Sequence, residues 1–147
     1  MTSSDAHVYD SPAERVSEHI QRYVETGGEE GHDWNGVPTL LLTTKGRKSG
    51  KLRRTALIYG RSGASYVVVA SLGGAPTHPA WYLNLQENPE VALQVGPEDL
   101  TAIARTANDD EKPALWRMMA EIWPAYDEYQ TKTDRAIPVV VLDPVPA

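Results

Sequence analysis

The chain has 147 residues and a formal net charge of −6, from 14 Lys and Arg against 20 Asp and Glu. This length predicts one domain, residues 1–147, with room for a single hydrophobic core. Cysteine is absent, which excludes disulfides, thiolate metal sites and a cysteine nucleophile. No signal-peptide pattern and no run of the roughly 20 apolar residues needed to span a bilayer are present, so the sequence predicts a cytoplasmic protein.

The N-terminal part of the sequence predicts one amphipathic helix. Residues 1–10 carry no helix or strand pattern and are expected to be flexible. The helix is expected over residues 11–27, with Ser11 as the N-cap, Pro12 at the first helical position and Glu14 closing a capping box. Its apolar residues fall on one face at helical spacing, and they are Val16, Ile20, Tyr23 and Val24.

From residue 37 the apolar pattern becomes that of β-strands separated by short polar turns. The runs occur mostly as hairpin pairs, which favours an antiparallel sheet over a strand–helix alternation. Short helices are expected after Pro79, after a capping box formed by Asn108 and Glu111, and beyond Pro124. The predicted class is α+β, mainly β: a barrel or roll of about six mostly antiparallel strands with flanking helices. The strands are expected at 37–44, 53–60, 65–71, 90–95, 100–107 and 137–143.

The stretch Lys45–Arg54 is the most unusual feature, with six bases and no acid in an acidic chain. It has three interpretations: a solvated hairpin tip, a nucleic-acid surface, or a site for one anionic small molecule. Gly46 and Gly50 would let the backbone approach a phosphate that the bases neutralise. Nucleic-acid binding usually needs a broad basic face with stacking aromatic residues, which an otherwise negative chain does not offer.

A second feature is the stretch "ASLGGAPTHPAWYLNL". Ser71 ends an apolar strand, Gly73 and Gly74 follow, and a helix containing Trp81 and Tyr82 begins soon after. The simplest interpretation is a strand, a turn and a helix with a tryptophan in the core. In the functional alternative, the backbone amides of the two glycines approach a flat ring system.

A third feature is a set of aromatic residues at helical spacing across a proline kink. Trp123, Tyr126 and Tyr129 are three residues apart, and Pro124 interrupts the helix. Such a stripe usually belongs to a core. The intervening residues are half polar, however, so the tyrosines could lie at the rim of a pocket with hydroxyls free to donate a hydrogen bond or a proton.

Motifs for other chemistry are missing from the sequence. It has no phosphate-binding or dinucleotide-binding glycine motif, no nucleophile elbow and no zinc-protease motif. Its four histidines are scattered, which predicts no metal site. Chemistry, if the protein performs any, therefore has to come largely from a bound cofactor.

Three segments in this order closely resemble the deazaflavin-dependent nitroreductase family, which uses coenzyme F420. They are "LLLTTKGRKSGKLRRTALIY", "VVVASLGGAPTHPAWYLNLQENPEVALQV" and "WPAYDEYQTKTDRAIPVVVL". The resemblance implies a split β-barrel in which a basic strip holds the cofactor's phosphate and oligoglutamate tail. By position, that strip comprises Gly46, Arg47, Lys48, Ser49, Gly50, Arg53 and Thr55. The deazaflavin ring would be lined by Val69, Ala70, Ser71, Leu72, Gly73 and Gly74, with Trp81 and Tyr82 packed nearby.

The resemblance also implies hydride transfer from the reduced deazaflavin to a quinone-like or nitroaromatic acceptor. Tyr126 and Tyr129 match tyrosines that close over the ring, and Tyr126, with Ser71 orienting nearby, is expected to donate to the acceptor. Members that activate nitroimidazoles have Lys where this chain has Leu72 and Tyr where it has Trp123, which favours quinones. The alternatives are a non-catalytic F420 carrier and a reductase that uses FMN.

The sequence says little about partners other than the electron acceptor. No nucleic-acid partner is expected, and the sequence does not predict an oligomeric state. The family resemblance implies peripheral contact with the inner face of the membrane at most. The net acidity of residues 11–27 disfavours attachment to anionic lipid.

Overall fold

The computed structural model describes residues 8–10 and 14–146, which form one curled sheet flanked by helices. In this part of the chain the strands are β1 Val8–Asp10, β2 Asp33–Trp34, β3 Val37–Lys45, β4 Leu52–Ile58, β5 Gly60–Ser62, β6 Ser65–Val69, β7 Glu90–Val95, β8 Glu98–Thr106 and β9 Val139–Pro144. The helices are α1 Glu14–Thr26, α2 Ala80–Glu87, α3 Lys112–Ile122 and α4 Ala125–Thr131.

The sheet is antiparallel except at one edge. Its strand order is β1-β4-β3-β7-β8-β9-β6-β5, with β2 paired to β3 outside this path. Only β1 and β4 run parallel among the strand pairs of the described segments. The predicted class, a mainly antiparallel curled sheet with flanking helices, is confirmed.

All six predicted strands are present, and three short strands (β1, β2 and β5) were not predicted. The flexibility expected of residues 1–10 stays a prediction, whereas the strand over Val8–Asp10 was not expected. These residues pair with β4, and the Asp10 carboxylate lies 2.7 Å from Nε of Arg54. The predicted helix is confirmed over Glu14–Thr26, whereas its capping signals at Ser11 and Pro12 lie outside the described residues.

The central strands are apolar on both faces, because the sheet is covered on both sides. In β3, Leu40 and Leu42 pack in the cluster inside the curled sheet, whereas Leu41 faces α1. In β6, Val67 and Val69 face α3 and α4, while Tyr66 and Val68 point to the inner cluster. This placement follows from the two-residue period of a strand.

Two predicted helix signals are confirmed. The Asn108 side chain accepts a hydrogen bond from the Glu111 N–H at 2.9 Å, and the Glu111 carboxylate accepts one from the Asn108 N–H at 3.0 Å, as in a capping box. Pro124 separates α3 from α4. None of the helices in the described ranges is long and apolar enough to cross a membrane.

Tyr23 fixes α1 against the sheet. Its ring is fully buried, and its hydroxyl donates to the Thr39 carbonyl at 3.0 Å and accepts from the Gly96 N–H at 2.6 Å. Burial raises the pKa of Tyr23, so the hydroxyl stays protonated. Anchored in this way, α1 contributes Val16, His19 and other side chains to the rim of a large cleft.

Candidate active site

A single long cleft of about 1400 Å³ runs along β4 and brings most of the predicted site residues together. Every residue from Arg53 to Ile58 lines it, and because successive side chains of a strand point to opposite faces, the cleft reaches both faces of β4. The cleft is larger than an ordinary small-ligand pocket of roughly 300–1,000 Å³. The predicted site residues that line it are Gly46, Arg47, Lys48, Ser49, Arg53, Thr55, Val69, Ser71, Leu72, Gly73, Trp81, Tyr126 and Tyr129.

Four predicted cofactor-binding residues do not line the cleft. Gly50 turns the basic loop, with φ +73° and its N–H on the Gly46 carbonyl. Ala70 is fully buried, and its N–H donates to the carbonyl of Pro138. Tyr82 points into the core, where its hydroxyl lies 2.8 Å from that of Thr106. Gly74, the fourth, packs on α4.

Asn84, to which the sequence assigned no role, orients the basic end of the cleft. It is buried on α2, and its side-chain oxygen accepts from both the backbone N–H and Nη1 of Arg47, at 3.1 and 3.0 Å. Its amide nitrogen donates to Thr44 at 3.3 Å. Because α2 thereby fixes the Arg47 guanidinium, one base of the strip is preorganised rather than freely solvated. The motif W-Y-L-N-L contains this asparagine, but the motif gives no sign of its contact with the loop.

The charge of the cleft is divided between its elements. The basic loop and β4 contribute Arg47, Lys48, Arg53 and Arg54, and the Asp10 carboxylate pairs with Arg54. The other acidic residues of the lining come from α1 and the segment that follows it, namely Glu18, Glu30 and Asp33, and α1 also contributes the base Arg22. The basic end is therefore suited to an elongated anion that lies along β4.

The turn after β6 comprises residues 70–75, of which Ser71, Leu72 and Gly73 form part of the cleft wall. Leu72 has φ +46°, an uncommon conformation for a residue with a side chain, and it is 52% exposed. The Gly74 N–H donates to the Ser71 carbonyl at 2.9 Å, so this amide is not available to a ligand, contrary to prediction. The N–H groups of Ser71, Leu72 and Gly73 make no hydrogen bond within residues 8–10 and 14–146. Three adjacent residues of the cleft wall thus have backbone N–H groups without an acceptor in the described part of the chain.

Helix α4 places two tyrosines over this turn. Tyr126 is 5% exposed and Tyr129 is partly exposed, and their rings meet edge to face with centroids 6.1 Å apart. Burial, and secondarily the neighbouring Tyr129, raises the pKa of Tyr126 well above its ordinary value. The Tyr126 hydroxyl makes no hydrogen bond to the part of the chain that the structure describes. It is therefore a protonated donor on the cleft without a protein acceptor.

Trp34 forms an aromatic wall with Trp123 that the sequence did not predict. Both side chains line the cleft, and their ring centroids are 5.2 Å apart at an interplanar angle of 42°. Trp34 is 37% exposed on the two-residue strand β2. Trp123 also donates from Nε1 toward the Tyr129 hydroxyl, at 3.5 Å. Trp34 pairs with Val37 at the start of β3, whereas the basic loop follows Lys45 at the end of this strand, so the aromatic wall lies at the end of the cleft opposite the bases.

Comparison with known proteins gives consistent results. A model of the F420H(2)-dependent quinone reductase family matches residues 15–144. An F420H(2)-dependent quinone reductase of Mycobacterium tuberculosis is 42% identical over 128 residues, which are 84% of this chain and 86% of that protein.

Two solved structures are similar to this chain in sequence and in fold. The structure of an F420-H2 dependent reductase (FDR-A) is 44% identical with a TM-score of 0.67, and the match covers 72% of this chain and 94% of that one. A structure described as a domain-swapped dimer is 41% identical with a TM-score of 0.70, covering 90% of this chain and 100% of that one.

Proposed function

Because the chain belongs to the F420H(2)-dependent quinone reductase family, we propose that it transfers a hydride from reduced F420 to a quinone. The observation that supports this best is the division of one cleft into a basic end and an aromatic end. F420 has the same division, since a phosphodiester and carboxylates extend from a flat ring. The residues present therefore fit the cofactor in charge, shape and size.

The basic loop and β4 would hold the phosphate and the tail. Lys48, Arg47 and Arg53 provide positive charge along the cleft, and Ser49 and Thr55 add hydroxyl donors. Arg47 is already oriented by Asn84, which lowers the entropy lost on binding.

The turn after β6 would hold the ring. Its three unpartnered N–H groups, of Ser71, Leu72 and Gly73, can donate to carbonyl groups at the ring edge. Val69 and Trp81 add apolar surface beside the turn. When bound, the reduced deazaflavin supplies the hydride, and the protein's part is to orient the two partners and exclude water.

The acceptor would lie between the turn and the aromatic wall. Trp34, Trp123 and Tyr129 offer flat apolar faces, and the exposed Leu72 side chain lies on the same cleft. This lining suits a neutral, planar quinone. Nitroaromatic compounds are also planar, and we propose them as secondary acceptors, because an aliphatic Leu72 supplies no charge for a nitro group.

Tyr126 is the proposed hydrogen-bond donor to the acceptor oxygen. Negative charge develops on that oxygen as the hydride arrives, and a neutral donor positioned beside it stabilises this charge. Because burial raises the Tyr126 pKa, the phenol keeps its proton and acts as a neutral hydrogen-bond donor. Ser71, 9% exposed on the facing turn, is the proposed orienting residue.

Other expectations from the sequence stay predictions. These are a cytoplasmic location with peripheral membrane contact at most, the absence of a nucleic-acid partner, and an undetermined oligomeric state. FMN stays the alternative cofactor, and titration with both cofactors distinguishes the two.

Replacing Lys48 and Arg53 together with Ala should weaken F420 binding about tenfold to a hundredfold, because two cations facing the anionic tail are lost. The dependence of the dissociation constant on salt should become shallower as well. Fluorescence titration of F420 at several salt concentrations measures both quantities, with FMN titrated in parallel.

The matched control is the double variant Lys112→Ala and Arg117→Ala, which removes the same charge from α3, away from the cleft. Its affinity and salt dependence should equal those of the wild type. An equal loss in both double variants would mean that net charge, not the cleft, governs binding. Tighter binding of FMN than of F420 by the wild-type protein would contradict the proposed cofactor.

A further inference from the structure

Arg135, in the segment between α4 and β9, holds the turn after β6 through one guanidinium group. Its Nε donates to the carbonyl of Ala75 at 2.8 Å, Nη1 to that of Ala70 at 3.2 Å, and Nη2 to that of Ser71 at 2.7 Å. Nη1 also lies 3.0 Å from Nδ1 of His78, just before α2. One side chain thereby bonds to four residues of the stretch 70–78, which lie 57 to 65 positions earlier in the chain.

The surroundings of Arg135 are unusual for a partly buried cation. No carboxylate of the described ranges forms an ion pair with it, and its contacts are carbonyl groups and one imidazole. Burial lowers the pKa of both Arg135 and His78, and the neighbouring Arg135 charge lowers that of His78 further. A neutral His78 nitrogen can accept the Arg135 hydrogen bond.

The backbone of Arg135 is itself fixed by α4. The side-chain amide of Gln130 donates to the Arg135 carbonyl at 2.8 Å, and its oxygen accepts from the Ile137 N–H at 3.0 Å. Gln130 directly follows Tyr129, which lines the cleft. Arg135 therefore connects the helix that carries the tyrosines, through its backbone carbonyl, with the turn they face, through its guanidinium.

The contacts of Arg135 all lie on one side of the turn after β6. Arg135 does not line the cleft, whereas Ser71 and Leu72 do, so the carbonyls of Ala70, Ser71 and Ala75 are bonded on the side away from the cleft. The same arrangement leaves the N–H groups of Ser71, Leu72 and Gly73 without an acceptor among the described residues. The bonded carbonyl groups also lie on both sides of Leu72 in the sequence. The left-handed conformation of Leu72 costs roughly 1 kcal/mol or more and needs support from its neighbours.

We propose that Arg135 is a positioning residue for the flat ring of the cofactor. By holding three carbonyls of the turn from behind, it presents the unpartnered N–H groups of the turn as a preformed donor surface. The Arg135 charge and the aligned peptide dipoles also make this surface positive, which favours an electron-rich ring edge. This inference rests on the proposed function and adds a residue that never contacts the ligand.

A residue that merely stabilised the fold would behave differently from one that shapes the turn. Loss of general stability lowers the melting temperature without changing the affinity of the molecules that remain folded. Loss of the positioned turn weakens ring binding in folded protein. The tail contacts, and with them the salt dependence, should stay intact, because the basic strip is separate.

Arg135→Met and Arg135→Lys test the proposal by fluorescence titration of F420 at low and high salt. Arg135→Met should raise the dissociation constant about tenfold to a hundredfold at every salt concentration, with the wild-type slope. Arg135→Lys keeps the charge but not the fork of donors, and should restore only part of the affinity. Peptide-level hydrogen exchange in the ligand-free protein should be faster over residues 70–76 in both variants, because the Gly74 and Ala75 amides lose their supporting turn.

The matched control is Arg105→Met, since Arg105 also joins separate segments, through Asp143 and Glu111, but lies outside the cleft. It should leave F420 affinity and exchange over residues 70–76 unchanged. Wild-type affinity in Arg135→Met, or full recovery in Arg135→Lys, would overturn the proposal. If Arg135→Met does not fold, the proposal is overturned when Arg135→Lys shows wild-type F420 affinity and wild-type hydrogen exchange over residues 70–76. Failure of the wild-type protein to bind F420 would instead contradict the proposed function.

Discussion

Replacing Tyr126 with Phe should lower the turnover number for quinone reduction about tenfold to a hundredfold and change F420 affinity less than about twofold. The variant removes one hydroxyl and keeps the ring, so the packing of Tyr126 against Tyr129 and Trp116 persists. Only the hydrogen bond to the developing charge is lost, because this hydroxyl has no acceptor in the described protein segments. Steady-state rates with menadione, together with F420 titration, measure the two effects separately.

Tyr66→Phe is the matched control for this prediction. Tyr66 is as buried as Tyr126 but points into the inner core, away from the cleft. Removal of the Tyr66 hydroxyl should leave the turnover number unchanged. Unchanged turnover in Tyr126→Phe would show that the Tyr126 hydroxyl takes no part in the reaction.

Replacing Gly74 with Ala should destabilise the protein by about 3 kcal/mol and reduce turnover more than tenfold. A Cβ at this position would lie 2.7 Å from the Tyr129 carbonyl oxygen and 3.1 Å from the Tyr129 Cα, and φ is +85°. Relief of that clash requires α4 to move away from the turn, and α4 carries both Tyr126 and Tyr129. Thermal unfolding and menadione reduction measure the two consequences.

Gly73→Ala separates the clash from the backbone strain. Gly73 has φ +64°, but a Cβ added there would meet no atom within 4 Å, so only the strain of about 1 kcal/mol applies. Turnover in Gly73→Ala should stay within about threefold of the wild type, because α4 keeps its place. Equal losses in the two variants would exclude the contact with Tyr129 as the cause.

The parts of the fold that sequence predicts well are those with a strong local pattern. The runs that form β3 and β6 are apolar and continuous, and the capping box at Asn108 lies within four residues. Strand β2, in contrast, has two residues and no measurable period. Strand β1 exists because β4 offers it an edge and Arg54 offers Asp10 a partner, 44 residues away.

The candidate site likewise contains residues that the sequence could identify and residues that it could not. The bases of the loop and the glycines of the turn could be located from spacing, because their residue types are themselves informative. Asn84 and Arg135 could not, since their roles lie in contacts with Arg47, 37 residues away, and with Ser71, 64 residues away. Gly74 was predicted as a ring contact, whereas folding turned it toward α4. Sequence thus indicated which loops form the cleft, but not which atoms support them.

A stopped-flow experiment tests most directly whether one cleft binds reduced F420 and passes its hydride to a quinone. The protein is loaded with reduced F420, mixed with menadione, and followed by the visible absorbance of the oxidised deazaflavin. We expect a rapid recovery of this absorbance, slowed in Tyr126→Phe. Binding of reduced F420 without any recovery beyond the rate of the protein-free mixture would contradict the proposed reaction and indicate a carrier of the cofactor.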